Sequence, residues 1–541
     1  MSASPSPLIL ATVMMLERGK IEDATTATYL YLQISVFLLG TLGNGLSVFL
    51  TSTASHPPSR SCLYKINQDR ASSHLPFISR IMSSHHSHVL VLPFPAQGHV
   101  NCLMILSNKL AQHGLRITFV NSDFNHRRVV KAMNEEEEAE KKKKKLPVEL
   151  VSISDGMGPE DDRNDMAKLS LAILRTMPLE LEKLIEGING RGDRIKCVLA
   201  DVNMAWALEV SHKLGIKAAV ICPTSAAVFA LELHMPKLIQ DGVMDSNGLP
   251  IVKGEFEISP KVPKMNTSDI AWCCIGDSDS QKTVYDYIAK MIRTLHLTDW
   301  WLCNTTFELE PGALSLYPKI LPIGPLMESN ENLSTGSLGQ FWEEDLSCLR
   351  WLDQQPPCSV IYIAFGSFTV FDPTQFQELA LGLELTQRPF LWVVREDTHG
   401  GGAKMAYPDE FEGKKGKIVK WVPQNKVLSH RAIACFVSHC GWNSTMEGLS
   451  NGVPFLCWPY FADQYFDKNC ICNEWKVGLG FDSDEKGIIS SQEIKKKVDM
   501  LLGDESMRAR SLKLKDIMMN NIKEGGTSME NFRKFFEWVK R

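Results

Sequence analysis

The sequence predicts an α/β protein made of two doubly wound parallel-sheet domains that face a cleft. Three observations carry this. From His88 onward, short apolar runs alternate with amphipathic stretches, in the order strand, loop, helix. A second block of the same kind starts at Ser359. Between Met327 and Leu346 the chain turns polar (MESNENLSTGSLGQFWEEDL), as a connection between domains does. Strands joined through helices pair in parallel, with helices covering both faces.

The expected organisation is an extension over 1–81, a first domain over 82–335, a second over 336–525 and a terminal helix over 526–541. The extension carries no Asp, Glu, Lys or Arg from Ala24 to Ser59. Its stretch Tyr29–Leu50 (YLYLQISVFLLGTLGNGLSVFL) is long enough to span a bilayer, although Gln33, Asn44 and its glycines weaken it. It lacks the short apolar stretch and small-residue cleavage site of a signal peptide. Any membrane association is therefore expected only through residues 29–50. The alternative is a functionless extension before a cytoplasmic protein that starts near Met82.

In the first block, HVLVLPFP reads as a strand over His88–Pro93 ending in a proline turn. A helix follows over Val100–His113, stopped by Gly114. RITFVNS, CVLADV and AVICP are further strands. The run EEEEAEKKKKK, Glu135–Lys145, reads as solvated, with its Glu-before-Lys order suited to i,i+4 pairs. In the second block SVIYIAFGS is a strand rich in β-branched residues, followed by FLWVV, KIVKWV, ACFVSH and PFLCWP. The last stretch, SMENFRKFFEWVKR, has the spacing of an amphipathic helix.

Composition narrows the functions. The 541 residues exceed one ordinary core. A net charge of −5 gives no electrostatic basis for nucleic acid. The 14 cysteines are scattered and form no C-x-x-C pair, which points to reduced thiols rather than a zinc knuckle or redox motif.

The loops after the strands carry the chemistry. In SHCGWNSTMEG, Gly441 lets backbone approach a ligand, and Asn443, Ser444 and Thr445 are suited to capping a helix. The free N–H groups of that helix start attract phosphate, and His439 offers an imidazole that can be cationic beside a dianion. Gly366 and Ser367 end another strand. Trp421 offers a flat indole for a nucleobase, Glu447 a carboxylate for ribose hydroxyls, and Asp463 with Gln464 a carboxylate and an amide for a sugar.

The segment Trp421–Gln464 (WVPQNKVLSHRAIACFVSHCGWNSTMEGLSNGVPFLCWPYFADQ) resembles the 44-residue signature of plant family 1 UDP-sugar glycosyltransferases. FPAQGHV at the front and VIYIAFGS mid-chain extend the resemblance over His88–Arg541, and residues 1–81 fall outside it. The resemblance implies a GT-B fold with two Rossmann-like domains. It implies that Trp421 stacks on uracil and Val422 bonds it through its backbone. Gln424 and Glu447 then take the ribose, while Ser367, His439, Asn443 and Ser444 hold the diphosphate. Trp442, Asp463 and Gln464 position the sugar, with Gln464 the residue type associated with glucose. His99, in PAQGHV, matches the family's catalytic base, and Asp201, ending the strand CVLAD, matches its partner.

These readings combine into transfer of a sugar from UDP-glucose to a hydroxyl of a small lipophilic acceptor, with inversion. Imidazole suits removal of the hydroxyl proton, and a carboxylate on its other nitrogen would fix the tautomer. No metal or other cofactor is expected. The triplets Asp277-Ser278-Asp279 and Asp482-Ser483-Asp484 close no apolar strand in a nucleotide-binding context. A nucleotide-sugar-binding protein without transfer activity remains a rival. A nicotinamide-dependent oxidoreductase is a weaker one, because no G-x-G-x-x-G follows a strand. Phe94, Trp206 and the region Ala271–Ile275 are expected to border the acceptor.

Overall fold

The computed structural model describes residues 87–132, 148–327, 339–395 and 406–541. The chain divides into two units, Met1–Pro76 and Phe77–Arg541, and every described residue belongs to the second. The candidate span 29–50 and the charge run Glu135–Lys145 lie outside the described residues. Among those described, no helix is long and apolar enough to cross a membrane.

Two parallel sheets organise the fold. The first holds β1 (His88–Leu92), β2 (Arg116–Ser122), β3 (Val148–Ile153), β4 (Ile195–Asp201) and β5 (Lys217–Cys222). After a two-stranded hairpin of β6 (Glu255–Phe256) and β7 (Met265–Asn266), β8 (Trp301–Cys303) and β9 (Ile320–Pro322) complete it. Its order is β3-β2-β1-β4-β5-β8-β9. The second sheet holds β10 (Val360–Ala364), β11 (Phe390–Val393), β12 (Gly416–Val419), β13 (Ile433–Ser438), β14 (Phe455–Cys457) and β15 (Gly478–Gly480), in the order β12-β11-β10-β13-β14-β15.

Each sheet is buried on both faces. Along β1, Val89 and Val91 enter one apolar layer while Leu90 and Leu92 enter the opposite one. Along β10, Ile361 and Ile363 separate in the same way from Val360 and Tyr362. Period-two alternation between two apolar layers is what a covered parallel sheet requires.

Strand order also creates the two functional crevices. In the first sheet the chain runs outward from β1 to β3, then resumes at β4 on the other side of β1. In the second, β10 and β13 are the corresponding pair. Loops beyond the carboxyl ends of such neighbours diverge and leave a crevice. His99 follows β1 and Asp201 ends β4. Ser367 follows β10 and His439 follows β13.

The terminal helix spans Thr527–Lys540. It does not pack as an extra piece on the second sheet that precedes it. Phe532, Phe535, Phe536 and Val539 join the apolar layer of the first sheet, with Val89 and Val91. Lys217 Nζ donates to the Trp538 carbonyl at 3.1 Å, and Asn531 Nδ2 donates to the Pro322 carbonyl at 2.9 Å. Phe535 is fully buried. Phe535→Ala is therefore expected to destabilise the protein by about 3–5 kcal/mol, visible as a lower urea midpoint. An unchanged midpoint would mean that this helix is not docked.

Candidate functional site

A cleft of about 300 Å³ lies between the two sheets' loop ends. His99, Ser367, Trp421, Val422, Gln424 and His439 border it. So do Trp442, Asn443, Ser444, Glu447, Asp463 and Gln464. Asp201 stands behind His99, fully buried. Residues far apart in the chain, from both sheets, thus meet in one place.

The helix after β1 spans Gln97–Gln112, three residues earlier than the sequence suggested, so His99 lies in its first turn. The His99 Nδ1 and Asp201 Oδ2 atoms are 2.7 Å apart. Asp201 is held in turn by the Asn203 N–H, which donates to Oδ1 at 2.9 Å. Burial pulls the His99 pKa down, but the charge and hydrogen bond of Asp201, with the charge of Asp463, carry it above the ordinary imidazole value. With Nδ1–H directed at the carboxylate, Nε2 is the nitrogen left to take a proton.

The helix after β13 spans Trp442–Asn451, and its N-cap is Gly441. Here the sequence reading needs correction. Asn443, Ser444 and Thr445 do not cap this helix. They lie inside its first turns, and Gly441 carries no cap side chain. The open N–H groups are therefore those of the first turn itself. Cys440, at φ 67°, makes the left-handed step that brings the chain from His439 into the helix.

His439 also differs from expectation. Burial, with the nearby Arg395 charge, lowers its pKa to about 4, against a weaker opposing effect of the Ala364 carbonyl. Near neutral pH it is therefore a neutral imidazole, not a cation. Arg395 is itself buried, and it donates to the carbonyls of Ser367 and Thr369, the latter at 2.7 Å. It thereby fixes the loop after β10.

Several groups on the second sheet's side of the cleft are pre-arranged by one another. Gln424 Nε2 donates to Ser444 Oγ at 2.8 Å and to Glu447 Oε2 at 2.6 Å. The Tyr362 hydroxyl donates to Gln424 Oε1 at 3.0 Å. Trp421 stands 4.7 Å from Trp342, ring centre to ring centre, and its Nε1 donates to Gln340 Oε1 at 3.1 Å. Gln97 donates to the same Gln340 oxygen at 3.1 Å. That bridge ties the indole to the helix bearing His99.

Two residues do more than was expected of them. The Asn443 amide donates to the Gly98 carbonyl at 3.1 Å, and its oxygen accepts from Asn304 at 3.2 Å. Its side chain therefore joins the helix Trp442–Asn451 to the residue before His99. The Trp442 ring is 3% exposed and its Nε1 donates to the Asn304 carbonyl at 2.8 Å. The indole is thus held by packing and by this bond, at the border of the cleft.

After β14, burial raises the Asp463 pKa to about 6, partly offset by His99. Gln464 Oε1 accepts from the Tyr460 and Phe461 N–H groups at 2.8 and 3.2 Å, which leaves its NH2 for a ligand. Phe94, Ala271, Trp272 and Ile275 border the cleft, but Trp206, expected there too, is buried in the core and does not.

Sequence reading missed Tyr362, Asn304, Gln340 and Arg395. Tyr362 was hidden inside an apolar strand. Asn304 follows β8, a strand of three residues that was not foreseen. The two Asp-x-Asp triplets sit elsewhere: Asp277 caps a helix by accepting from the Ser280 N–H at 2.9 Å, and Asp482 pairs with Lys497 at 3.0 Å. Among the described residues, no group of three His, Cys, Asp or Glu side chains is placed to hold a metal.

Comparison with known proteins agrees with this geometry. The profile described as UDP-glucoronosyl and UDP-glucosyl transferase matches residues 289–521, and that of a glycosyltransferase N-terminal domain matches 86–150. UDP-glycosyltransferase 83A1 of Arabidopsis thaliana is 44% identical over 84% of this chain and 97% of its own length. Linamarin synthase 1 of Manihot esculenta is 33% identical over 84% of this chain and 96% of its own. The crystal structure of Os79 from O. sativa in complex with UDP superposes with a TM-score of 0.67 at 26% identity, covering 83% of this chain and 100% of that one. Phytolacca americana UGT2, at 22% identity and a TM-score of 0.69, shares the fold over 84% of this chain and 100% of its own. The chain belongs to the plant UDP-glycosyltransferase family, and it is a GT-B enzyme that transfers a glycosyl group from a UDP-sugar.

Proposed function

We propose that the donor is UDP-glucose, that the acceptor is a hydroxyl of a small lipophilic molecule, and that transfer inverts the anomeric centre with His99 as base. The observation that carries this is the 2.7 Å His99–Asp201 pair opening into the same cleft as the first turn of Trp442–Asn451. The acceptor oxygen forms a bond to the anomeric carbon as the bond to UDP breaks. Its proton passes to His99 Nε2, and Asp201 steadies the imidazolium. Charge growing on UDP meets the first-turn N–H groups and His439. A dianion beside His439 would favour its protonation, so this imidazole can gain its proton as the donor binds.

The names of related proteins support glucose and a small acceptor. Among them is the 7-deoxyloganetin glucosyltransferase of Gardenia jasminoides, 30% identical over 83% of this chain. We read the reaction as metal-free and the enzyme as cytoplasmic, with residues 29–50 its only candidate membrane contact. Incubation with UDP-glucose or UDP-galactose and a panel of phenols, with and without EDTA, tests the reading by mass and by anomeric configuration. The expected result is a β-glucoside at a rate EDTA leaves unchanged. A retained configuration would overturn it. Fractionation of chains starting at Met1 and Met82 tests the location.

The pH profile gives a second test. His99 works as a base only when neutral, so its raised pKa sets an acid limb of kcat/KM above the ordinary imidazole value. Asp463 is ionised above about 6 and contributes to that rise. Asp463→Asn removes a negative charge, which makes the imidazolium less stable. The limb should move to lower pH, even as sugar binding weakens. A limb moving upward would contradict the assignment.

A further inference from the structure

Glu232 lies on the helix Ala226–Gln240 that follows β5, and it borders the cleft. It is 8% exposed. The apolar side chains of Val228, Trp272 and Ile288 and the ring of Tyr287 border the same cleft. Among the described residues its carboxyl makes no hydrogen bond or ion pair. The charges that reach it, Asp201 and Asp463, are both negative.

A second buried carboxyl, which reaches the start of the same helix from the chain before Pro311–Leu316, shows the contrast. Glu310 accepts from the Ala226 and Ala227 N–H groups, each at 2.9 Å, and from the Thr305 hydroxyl at 2.6 Å. It caps the helix and is satisfied. Ser225 adds a cap by accepting from the Val228 N–H at 3.2 Å. The helix is thus rigidly held, and Glu232 is held with it, bare. A buried polar group without a partner costs about 1–3 kcal/mol, so each one calls for a physical explanation. Asp467 is also buried and bare, but it is closed off from the cleft. Glu232 is open to it.

We propose that Glu232 sets acceptor choice by hydrogen-bonding, through its carboxyl group, to a carbonyl oxygen on the acceptor's tail, remote from the hydroxyl that is glycosylated. This rests on the transferase reading above and deepens it. Burial, with the charges of Asp201 and Asp463, raises the Glu232 pKa to about 8, so at neutral pH the group is a neutral acid and a donor. A carbonyl oxygen is the acceptor that needs no proton of its own. Sites built on such a bond reject analogues that lack it, because the buried group is left unpaired again.

The test uses two series of probes with UDP-glucose. One is 4-hydroxyphenyl alkanones with the ketone at successive positions along the chain. The other is 4-alkylphenols of the same lengths. The ratio of kcat/KM between matched pairs cancels the titration of His99, which both series share. At one chain length the ketone should be favoured by roughly 10- to 100-fold. Glu232→Leu should bring that ratio to about one. Glu232→Gln, which keeps an N–H donor, should retain most of it.

The native ratio should fall as pH rises through about 8, while the Glu232→Gln ratio stays level. That pair of curves decides the matter even if Glu232→Leu does not fold. No favoured length, an unchanged ratio in Glu232→Leu, or a native ratio level to pH 10 would each overturn the proposal. If neither series is glucosylated, the transferase reading fails for phenols. Calorimetric affinities of the same pairs for the UDP-loaded protein then decide on Glu232 alone, by the same ratios.

Discussion

Replacing His99 by alanine should lower kcat for glucosyl transfer by roughly 100- to 10,000-fold, the range in which a positioned base acts. The KM for UDP-glucose should change little. The reason lies in the separation of tasks across the cleft. The donor contacts proposed above come from the loops after β10 and β13 and from Gln424, which Tyr362 holds in place at 3.0 Å. His99 contributes to none of those bonds. Its one described hydrogen bond is to Asp201, behind it. Removing the ring therefore removes proton transfer and leaves the donor cradle standing. Asp201→Asn should act in the same direction and add a shift. Asp201 supplies the charge and hydrogen bond that raise the His99 pKa, so its loss should move the acid limb of kcat/KM downward. Single-turnover kinetics with saturating UDP-glucose would separate the chemical step from binding. An unchanged kcat in His99→Ala would exclude His99 as the base. A rise in donor KM with kcat intact would make it a binding residue instead.

Much of this site was readable before any coordinates. The strands that flank both crevices, β1, β4, β10 and β13, are short runs of Val, Ile, Leu and Cys between turn residues, and such runs announce themselves. The loops that follow them carry Gly, His, Ser and Asn, residue types with a clear use near an anion. What escaped were features set by tertiary context. β15 reads GLG and β8 is WLC, too short to show a period. The cap at Gly441 was misplaced because Asn and Ser are better cap formers in isolation. Here the left-handed Cys440 starts the helix earlier. The neutral state of His439 depends on burial and on Arg395, 44 residues earlier in the chain. The docking of the last helix on the first sheet is likewise invisible to its own periodicity, which specifies an apolar face but not the face it meets.

The second large effect is expected at two glycines that flank His439. A Cβ added at Gly366 would lie 2.6 Å from His439 Nε2, and one added at Gly441 would lie at the same distance from the same atom. Both fall far inside van der Waals contact, so the ring must move or the backbone must. The two positions differ in one useful respect. Gly366 has φ of 68°, where an alanine costs about 1–2 kcal/mol in the backbone alone. Gly441 has φ of −58°, which any residue adopts, so alanine there adds only the crowding. Gly366→Ala should thus lower both thermal stability and donor affinity, whereas Gly441→Ala should lower donor affinity with a smaller loss of stability. For each, the Kd of UDP should rise roughly 10- to 100-fold, equivalent to about 1.4–2.7 kcal/mol. Calorimetric titration with UDP, beside a melting curve of the free protein, reads the two effects separately. Equal UDP affinity in both variants and the native enzyme would mean that the Nε2 edge of His439 does not face the diphosphate. If Gly441→Ala loses affinity while its melting curve barely moves, the effect is local to the anion cradle, because backbone strain is absent at that position.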